Sequence, residues 1–427
     1  MKHVVIIGNG VAGITAARHI RKGSDFKITV ISSESDHFFS RTALMYIYMG
    51  HMRYEDTKPY ADDFWAKNRI DLVRDFVEEI DSTDKILRCR QRASLSYDVL
   101  IVATGSQTRY FDWPGQDLAG VQGLYGLPDL AAMERDTRGV QRAVVLGGGL
   151  IGIEMVEMLH TRRIPTTFLV REKSYFDFAL PAEESAMIND EIRAHHVDLR
   201  LGTEMKAVLG DAAGRARAVV TSHDQEISCQ FVGIATGVVP NVSVVARSEI
   251  ETNRGVLVNA FFETNIPDVY AIGDCAEFRE DGIGYRRIDP LWYTGRQHGK
   301  VVARIICGDR DAYQKPPYFN SAKFFTIEYQ TYGQVDAQPP AGVVSDLWQH
   351  PKGKQLVRVN YRTSDGRVLG FNLLGVRFRH AVCERWLLEE RTIDYVRPRL
   401  GEANFDPEFA PRLAMNRLAI NRLAISD

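Results

Sequence analysis

The stretch TNIPDVYAIGD, residues 264–274, decides the fold of this chain. It begins with a turn rich in Asn, Pro and Asp, continues as a short apolar strand over 269–272, and ends in Gly273 and Asp274. In an open parallel sheet, ligands bind beyond the carboxyl ends of the strands. A glycine there lets the backbone approach a ligand, and an aspartate accepts hydrogen bonds from hydroxyl groups. The stretch therefore predicts a strand whose end contributes to a binding site.

A glycine-rich turn near the start of the chain predicts a phosphate site. Residues 3–7, HVVII, form a continuous apolar run typical of a strand buried on both faces, and a helical run follows the turn GNGVAG at 8–13. The first glycine permits the tight turn, the second lets the backbone approach a pyrophosphate, and the third lets the helix pack on the strand. The helix N-terminus supplies free N–H groups and partial positive charge. The predicted binding residues are Gly8, Gly10, Val11, Ala12 and Gly13.

The same arrangement occurs a second time. Residues 142–146, RAVVL, lead into the turn GGGLIG at 147–152 and then into another helical run. Two complete strand–glycine–helix units predict two dinucleotide sites in one chain. The binding residues predicted at the second site are Gly147, Gly149, Leu150, Ile151 and Gly152.

Together these motifs resemble the pyridine nucleotide-disulfide oxidoreductase superfamily, and residues 264–274 match its second FAD signature position for position. The resemblance implies an α/β fold with two Rossmann-like dinucleotide-binding domains, the NAD(P) domain inserted in the FAD domain, and a C-terminal α+β interface domain. The implied boundaries are 1–113 and 241–314 for the FAD domain, 114–240 for the NAD(P) domain, and 315–427 for the interface domain.

Further motifs carry the resemblance. Two Ala-Thr-Gly motifs follow predicted strands, and in the family each lies where the chain passes between the two nucleotide domains. Asp274, with Gly273 before it, is implied to hold the ribityl chain of FAD. The cofactor-binding residues implied by the two motifs are Ala103, Thr104, Gly105, Ala235, Thr236 and Gly237.

Residues 37–52, HFFSRTALMYIYMGHM, resemble the segment that passes the flavin in ferredoxin reductases and nitrite reductase flavin domains. The resemblance implies that Arg41 reaches the FAD phosphates. Tyr46 stands where those relatives have a lysine near the flavin, and is a candidate catalytic residue. Glu34, after the strand predicted at 27–31, is the nearest acidic candidate for the adenosine ribose hydroxyls.

Two further residues are candidates for catalysis. Glu154 occupies the position of a family glutamate that faces flavin and nicotinamide; a purely structural alternative is an acid that stabilises a helix N-terminus. Trp292, with Tyr293, either flanks the flavin ring as a catalytic and cofactor-binding residue or packs the domain junction. The helix that contains them is predicted to begin at Pro290 and to end at Gly308.

The residues after the strand at 166–170 bear on the choice of nicotinamide coenzyme. Arg171, assisted by Lys173, resembles the arginine motif of NADPH-dependent glutathione reductases, and a guanidinium binds a phosphate through two charge-assisted bonds. We therefore expect NADPH. Glu172 leaves NADH possible, since a carboxylate there accepts hydrogen bonds from ribose hydroxyls. A solvated charge cluster without a ligand is the other alternative.

Composition excludes several classes of protein. With 53 basic and 55 acidic residues, no overall charge favours nucleic acid. The five cysteines form no C-x-x-C and none lies within 37–52, which argues against a disulfide framework, a metal site and a thiol relay. No apolar run has membrane-spanning length, and apolar strand residues begin at His3, so we expect a cytoplasmic protein without a signal peptide or transmembrane segment.

We therefore expect an FAD-dependent NAD(P)H oxidoreductase that passes electrons to a ferredoxin- or rubredoxin-type carrier. An NAD(P)H oxidase or quinone reductase is the second enzymatic alternative. A non-catalytic, redox-sensing flavoprotein resembling the apoptosis-inducing factors is the alternative of another class. In the interface domain we predict strands over 321–335, 355–362 and 367–374 and a helix over 379–390, followed by the repeat RLAMNRLAINRLAIS. We interpret this repeat as a packing or oligomer-contact helix, with a homodimer as the candidate oligomer.

Overall fold

A computed structural model describes residues 1–279, 287–351 and 353–408. The α-helices of this part are α1 (Val11–Gly23), α2 (Leu44–Tyr48), α3 (Phe64–Lys67), α4 (Leu127–Asp136), α5 (Leu150–Thr161), α6 (Ala182–Ala194), α7 (Trp292–Ile306), α8 (His380–Leu388) and α9 (Ile393–Val396).

The strands before the second glycine-rich turn are β1 (His3–Ile7), β2 (Lys27–Ser32), β3 (Ile70–Arg74), β4 (Val77–Asp81), β5 (Ile86–Cys89), β6 (Leu95–Ser96), β7 (Val99–Val102), β8 (Ser106–Thr108), β9 (Val121–Gln122) and β10 (Ala143–Leu146). Those after it are β11 (Thr166–Leu169), β12 (Asp198–Arg200), β13 (Met205–Gly210), β14 (Ala216–Thr221), β15 (Glu226–Ser228), β16 (Phe231–Ile234), β17 (Val238–Pro240), β18 (Val256–Val258), β19 (Val269–Ala271), β20 (Ala276–Phe278), β21 (Phe319–Phe324), β22 (Ile327–Gly333), β23 (Val343–Gln349), β24 (Leu356–Arg362) and β25 (Val368–Leu374).

The chain divides into two compact units. Unit 1 comprises Met1–Asp112, Gly120–Gly139 and Thr236–Lys315. Unit 2 comprises Trp113–Ala119, Val140–Ala235 and the described residues from Pro316 onward. The four segments predicted above, with their boundaries, stay a prediction.

Unit 1 is built on a parallel sheet of strand order β19-β7-β1-β2-β3. The central strands β1 and β7 are apolar and almost fully buried, as is usual inside a parallel sheet, whereas the edge strand β3 is partly exposed. Helix α1 packs on α7. Unit 1 also contains an antiparallel sheet β4-β5-β6, the antiparallel pair β8-β17 and the parallel pair β18-β20. Strand β19 belongs to the stretch at 264–274, so Gly273 and Asp274 lie beyond the carboxyl end of a sheet strand, as predicted.

Unit 2 contains a second parallel sheet, in which β12, β11, β10 and β16 are neighbours. An antiparallel sheet β13-β14-β15 accompanies it. The predicted α/β class with Rossmann-like parallel sheets is confirmed.

The rest of unit 2 is an antiparallel sheet of order β21-β22-β25-β24-β23, with α8 packed on one face. The single strand predicted over 321–335 was wrong: the chain reverses at Phe325, whose φ is +52°, and forms the two strands of a hairpin, β21 and β22. Strand β23 was not predicted. The repeat beginning at Arg412 lies outside the described residues.

Across the described ranges, no helix is both long enough and apolar enough to cross a membrane. Helix α7 begins at Trp292, two residues later than the predicted start at Pro290, because Leu291 still has the extended backbone of a helix cap.

Candidate functional site

The two glycine-rich turns have the same backbone geometry. Gly8 and Gly147 both have φ of +112°, a conformation that favours glycine. A Cβ on Gly13 would lie 2.1 Å from the carbonyl oxygen of Gly8, and a Cβ on Gly152 would lie 2.1 Å from that of Gly147. In each turn, the first and third glycines are therefore required by the protein's own packing.

The middle glycine of each turn is not required by the protein's own packing. A Cβ on Gly10 or on Gly149 would meet no atom within 4 Å. Both have ordinary extended φ and ψ angles at the caps of α1 and α5. The protein therefore leaves open space beside each helix N-terminus, where Val11, Ala12, Leu150 and Ile151 occupy the first turns with N–H groups free of helical partners. This geometry fits the pyrophosphate of a dinucleotide.

The first Ala-Thr-Gly motif lies against the first glycine turn. A Cβ on Gly8 would be 2.2 Å from the carbonyl oxygen of Ala103. Thr104 Oγ1 donates to the carbonyl oxygen of Asn241 at 2.6 Å, and the N–H of Asn241 donates to Gly105 O at 2.9 Å. The motif thus joins the end of β7 to the Pro-Asn pair that follows β17.

The second motif follows β16. The N–H of Ala235 donates to Leu146 O at 2.8 Å within unit 2. In unit 1, Thr236 Oγ1 donates to Arg109 O at 2.8 Å, and the N–H of Arg109 donates to Gly237 O at 3.0 Å. The binding roles of both motifs stay predictions.

Gly273 and Asp274 lie beside helix α1. Gly273 has φ of +73°, and a Cβ there would be 2.9 Å from the Cβ of Ala12. Its N–H donates to Nδ1 of buried His298 at 3.1 Å. Burial raises the pKa of Asp274, while a hydrogen bond from Tyr125 and the charge of Arg41 act against the shift. The carboxylate is thus oriented next to the first glycine turn, where a dinucleotide fits.

Tyr125 is a site residue that we did not predict. Its Oη donates to Asp274 Oδ2 at 3.2 Å and accepts from the N–H of Ser106 at 2.8 Å. A Cβ on Gly105 would lie 2.8 Å from the same Oη. No motif surrounds Tyr125 in the sequence, and 149 residues separate it from Asp274.

Arg41 and Glu34, predicted to contact the FAD phosphates and the adenosine ribose, lie together as an ion pair. Arg41 donates to both Glu34 carboxylate oxygens, at 2.9 and 2.5 Å, and Glu34 Oε1 also accepts the N–H of Leu127 at 2.9 Å. The Arg41 guanidinium stacks on the ring of Tyr125 at 4.7 Å and donates to its carbonyl oxygen at 2.7 Å. Tyr125 therefore connects Asp274 with the Arg41–Glu34 pair, while the predicted roles of that pair stay untested.

Tyr46 and Trp292, two candidate catalytic residues, lie in unit 1. Tyr46 is in α2 and its ring is stacked with His51 at 6.3 Å between centroids. Trp292 is the first residue of α7, packed edge-on against Tyr293 at 5.3 Å. Its indole Nε1 is buried and has no hydrogen-bond partner among the described residues. Neither geometry tests a catalytic role.

Glu154, the third candidate, is a half-buried residue of α5 in unit 2. Burial, followed by the charge of Glu157, raises its pKa to about 7. Tyr175 Oη donates to the carbonyl oxygen of Gly149, at the cap of the same helix, at 3.0 Å. A carboxyl group with a pKa near neutrality can hold or release a proton under physiological conditions.

The residues predicted to select the coenzyme lie beside the second glycine turn. Arg171 is 69% exposed and donates to Glu172 Oε1 at 2.9 Å. The Glu172 side chain is 20% exposed, and its Oε2 would lie 3.5 Å from a Cβ on Gly148. Lys173 is exposed. Both a guanidinium and a carboxylate are therefore near the turn.

All five cysteines are free thiols. Cys275, next to Asp274, is buried and donates to the carbonyl oxygens of Ile272 and Val102 at 3.3 and 3.5 Å, and burial raises its pKa. Within the described ranges, no group of three or more His, Cys, Asp or Glu residues is arranged to hold a metal ion.

Comparison with known proteins identifies the family. Residues 2–299 match the family model of the pyridine nucleotide-disulphide oxidoreductases, so the chain belongs to that family.

Individual relatives and solved structures are similar to this chain over most of its length. The chain is 29% identical to the NAD(P)H nitrite reductase of Bacillus subtilis over 310 residues, covering 72% of this chain but only 38% of that protein. It is 29% identical to a ferredoxin–NAD(P)(+) reductase of Sphingomonas sp. over 337 residues, covering 77% of this chain and 80% of the relative. The ferredoxin reductase structure from Rhodopseudomonas palustris has a TM-score of 0.80 at 21% identity and covers 97% of this chain and 98% of that one, which shows the same fold.

Proposed function

We propose that this member of the pyridine nucleotide-disulphide oxidoreductase family passes electrons from NAD(P)H through FAD to a ferredoxin- or rubredoxin-type carrier protein. One NAD(P)H supplies two electrons and releases a proton, so two one-electron carriers are reduced in each turnover. Bound FAD supplies the step between the two-electron donor and the one-electron acceptors.

The cysteine chemistry is the observation that supports a direct acceptor. Cys275, the cysteine next to the flavin-site aspartate, is a buried thiol with a raised pKa, and a thiol is far less reactive than a thiolate. The segment at 37–52 contains no cysteine. Without a thiol relay, electrons leave the flavin directly. The likeness to a ferredoxin reductase, which extends over 80% of that relative, favours a carrier protein.

The chain's own residues bind and orient the cofactors in this proposal. The turn at Gly10 and the carboxylate of Asp274 hold FAD, and the turn at Gly149 holds the nicotinamide coenzyme. The Glu154 carboxyl, with its pKa near 7, holds or releases a proton near the second turn.

We further propose that NADPH is the preferred coenzyme, with Arg171 as the anchor of its 2′-phosphate. Arg171 follows the strand end directly and its guanidinium is well exposed. Glu172 limits this preference because its carboxylate already holds Arg171 and would repel a phosphate.

The acceptor is tested with the holoenzyme and NADPH against an acidic [2Fe–2S] ferredoxin, rubredoxin, menadione and oxygen. We expect the carrier proteins to give the highest kcat/KM. A preference for oxygen or menadione would replace this proposal with an oxidase or quinone reductase. A Cys275→Ala variant that retains FAD should reduce the carrier at the wild-type rate, and its loss of activity would contradict a thiol-free path.

A further inference from the structure

Helices α1 and α7 together present a run of positive charge, which we call the basic face. On α7, Arg296, Lys300 and Arg304 recur every four residues and therefore lie along one side of the helix. On α1, the last two turns contribute a second group of cationic side chains. The basic face consists of the cations Arg18, Lys22, Arg296, Lys300 and Arg304 together with His19, whose pKa is lowered by burial and by these cations, so that its ring is neutral near pH 7.

Two glycines bring these helices close together. A Cβ on Gly299 would be 2.5 Å from the carbonyl oxygen of Ala12 and 2.8 Å from the Cβ of Thr15. A Cβ on Gly295 would be 3.4 Å from the side chain of Val11. Because the backbones nearly touch, the cationic side chains of the two helices share one surface. The neighbours whose charges act on His19 are Lys22, Arg18, Lys300 and Arg296.

The basic face lacks carboxylate partners. Across the part of the chain that the structure describes, none of its six residues has a carboxylate oxygen within 4.0 Å. Elsewhere in unit 1, exposed cations such as Arg69, Arg88 and Arg90 pair with Asp or Glu. Like charges gathered without counter-ions cost free energy, which a partner of opposite charge would relieve.

The end of the basic face at Arg296 lies next to residues proposed to bind FAD. A Cβ on Gly295 would be 3.9 Å from Cα of Gly273, the residue before Asp274. Arg296 lies one helical turn from Trp292, with its guanidinium 5.8 Å from the indole ring. A protein bound on this surface would thus lie near the predicted flavin site, which suits electron transfer over a short distance.

We propose that the basic face is the docking surface for an acidic electron-carrier protein. This inference rests on the proposed function and adds where the carrier binds and what charge it has. The chain as a whole carries a net charge of −2, so it offers no general attraction to a polyanion and the interaction is local. Association should therefore be steered electrostatically and weaken as ionic strength rises.

The test compares two triple variants of the holoenzyme. The basic-face variant carries Lys22→Gln, Lys300→Gln and Arg304→Gln, and avoids Arg296 because that residue contacts Trp292. The control variant carries Arg88→Gln, Arg90→Gln and Arg247→Gln, exposed positions of unit 1 outside the basic face. Each variant changes the net charge from −2 to −5.

Reduction of an acidic plant-type [2Fe–2S] ferredoxin and of menadione is measured from 20 to 500 mM NaCl. We expect the basic-face variant to lose about tenfold in kcat/KM for ferredoxin at low salt and to show a flatter salt dependence. Menadione reduction and FAD content should be unchanged, and the control variant should match the wild type.

Four other results would overturn the docking proposal. Equal loss in both variants would mean that only global charge matters. Wild-type ferredoxin kinetics in the basic-face variant would exclude the surface while leaving the proposed function intact. Parallel loss of menadione reduction would indicate a structural role. Binding of a DNA duplex that only the basic-face variant loses would assign the surface to nucleic acid. If the wild type reduces no carrier protein, the proposed function fails as well.

Discussion

The phenol of Tyr125 donates to the carboxylate of Asp274 at 3.2 Å, although the two residues are 149 positions apart. The same oxygen accepts the N–H of Ser106, and the ring carries the guanidinium of Arg41 on its face. One side chain thus orients the aspartate at the end of β19 and supports the Arg41–Glu34 pair. We therefore propose Tyr125 as a positioning residue of the FAD site.

Replacing Tyr125 by Phe should weaken FAD binding by about tenfold or more. The change keeps the ring under Arg41 but leaves Asp274 without its donor and the Ser106 N–H without its acceptor, and a hydrogen bond to a charged group contributes roughly 1.5–3 kcal/mol. Titration of the apoprotein with FAD, followed by fluorescence quenching, gives the Kd.

A matched control is available in unit 2. Tyr361 donates to Asp346 at the same distance, 3.2 Å, remote in sequence from the FAD motifs. Tyr361→Phe should leave the FAD Kd unchanged. Equal Kd values for Tyr125→Phe and wild type would show that the phenol does not orient the site.

Alanine at Gly10 and alanine at Gly149 should each weaken binding at only one of the two proposed nucleotide sites. Because a Cβ at Gly10 or Gly149 meets no protein atom, both variants should fold with wild-type melting temperatures. Gly10→Ala should bind FAD at least about tenfold more weakly, or about 1.4 kcal/mol. Gly149→Ala should keep FAD and bind NAD(P)H more weakly.

Gly13→Ala, in contrast to Gly10→Ala, should affect the stability of the protein itself. Its Cβ would lie 2.1 Å from a backbone oxygen, so this variant should be destabilised whether or not FAD is present. Calorimetry of the FAD-free variants gives their melting temperatures, which should fall for Gly13→Ala and stay at the wild-type value for Gly10→Ala. An unfolded Gly10→Ala apoprotein would mean that Gly10 serves packing rather than a ligand.

Buried His298 should make the protein less stable in acid. Its Nδ1 accepts the N–H of Gly273, and burial lowers its pKa to about 3 from 6.5. Between these values the unfolded chain binds a proton that the folded protein does not, so the free energy of unfolding falls as pH drops from 6.5 toward 3. The contribution of one such group has a slope of about 1.4 kcal/mol per pH unit at most.

Urea unfolding at pH 7.0, 5.5 and 4.5 measures this effect. His298→Asn, whose amide oxygen can accept the same N–H, should show a shallower loss of stability with falling pH than the wild type. His223→Asn, an exposed position, serves as the control. Identical pH slopes for His298→Asn and the wild type would assign the acid sensitivity to other groups.

Glu154 should give flavin reduction a pH dependence near neutrality. Its pKa of about 7 means that the carboxyl loses its proton across the physiological range. The same shift affects stability. Between pH 4.5 and 7, Glu154 holds a proton in the folded protein that it has lost in the unfolded chain, so the free energy of unfolding decreases as pH rises through this window. Glu154→Gln should remove both effects and stabilise the protein at pH 8 by about 1–3 kcal/mol.

Stopped-flow reduction by NADPH from pH 5.5 to 8.5 tests the catalytic part, and urea unfolding tests the stability part. Retained FAD absorbance in Glu154→Gln confirms that the site is intact. If the variant keeps the same inflection near pH 7, another group carries the proton.

Those features of the candidate site that depend on local backbone chemistry could be predicted from the sequence. Gly8, Gly13, Gly147 and Gly152 were predictable because only glycine fits the turns, and Asp274 because it follows a buried strand. The hairpin at Phe325 was missed because the residue adopts a left-handed φ without the usual Gly or Asn. Tyr125 was missed because its partners come from three distant segments, and such contacts leave no periodic signal along the chain.

Arg171 and Glu172 should have opposite effects on the preference for NADPH. Arg171→Ala should lower the efficiency of flavin reduction by NADPH about 10- to 100-fold, since hydrogen bonds to charged groups contribute roughly 1.5–3 kcal/mol each. NADH lacks the 2′-phosphate and should be affected little. Stopped-flow measurements with both coenzymes give the two values of kcat/KM.

Glu172→Gln, at the neighbouring position, should have the opposite effect on the coenzyme preference. The Glu172 carboxylate holds Arg171 through Oε1 and would repel a 2′-phosphate, so its neutral isostere should raise the preference for NADPH over NADH. In the double variant, Glu172→Gln should have a smaller effect, because it then relieves only the repulsion of the 2′-phosphate and releases no guanidinium. A wild type that prefers NADH, and that loses NADH efficiency in Glu172→Gln while Arg171→Ala changes nothing, would identify Glu172 as the ribose-binding residue and reverse the proposed coenzyme.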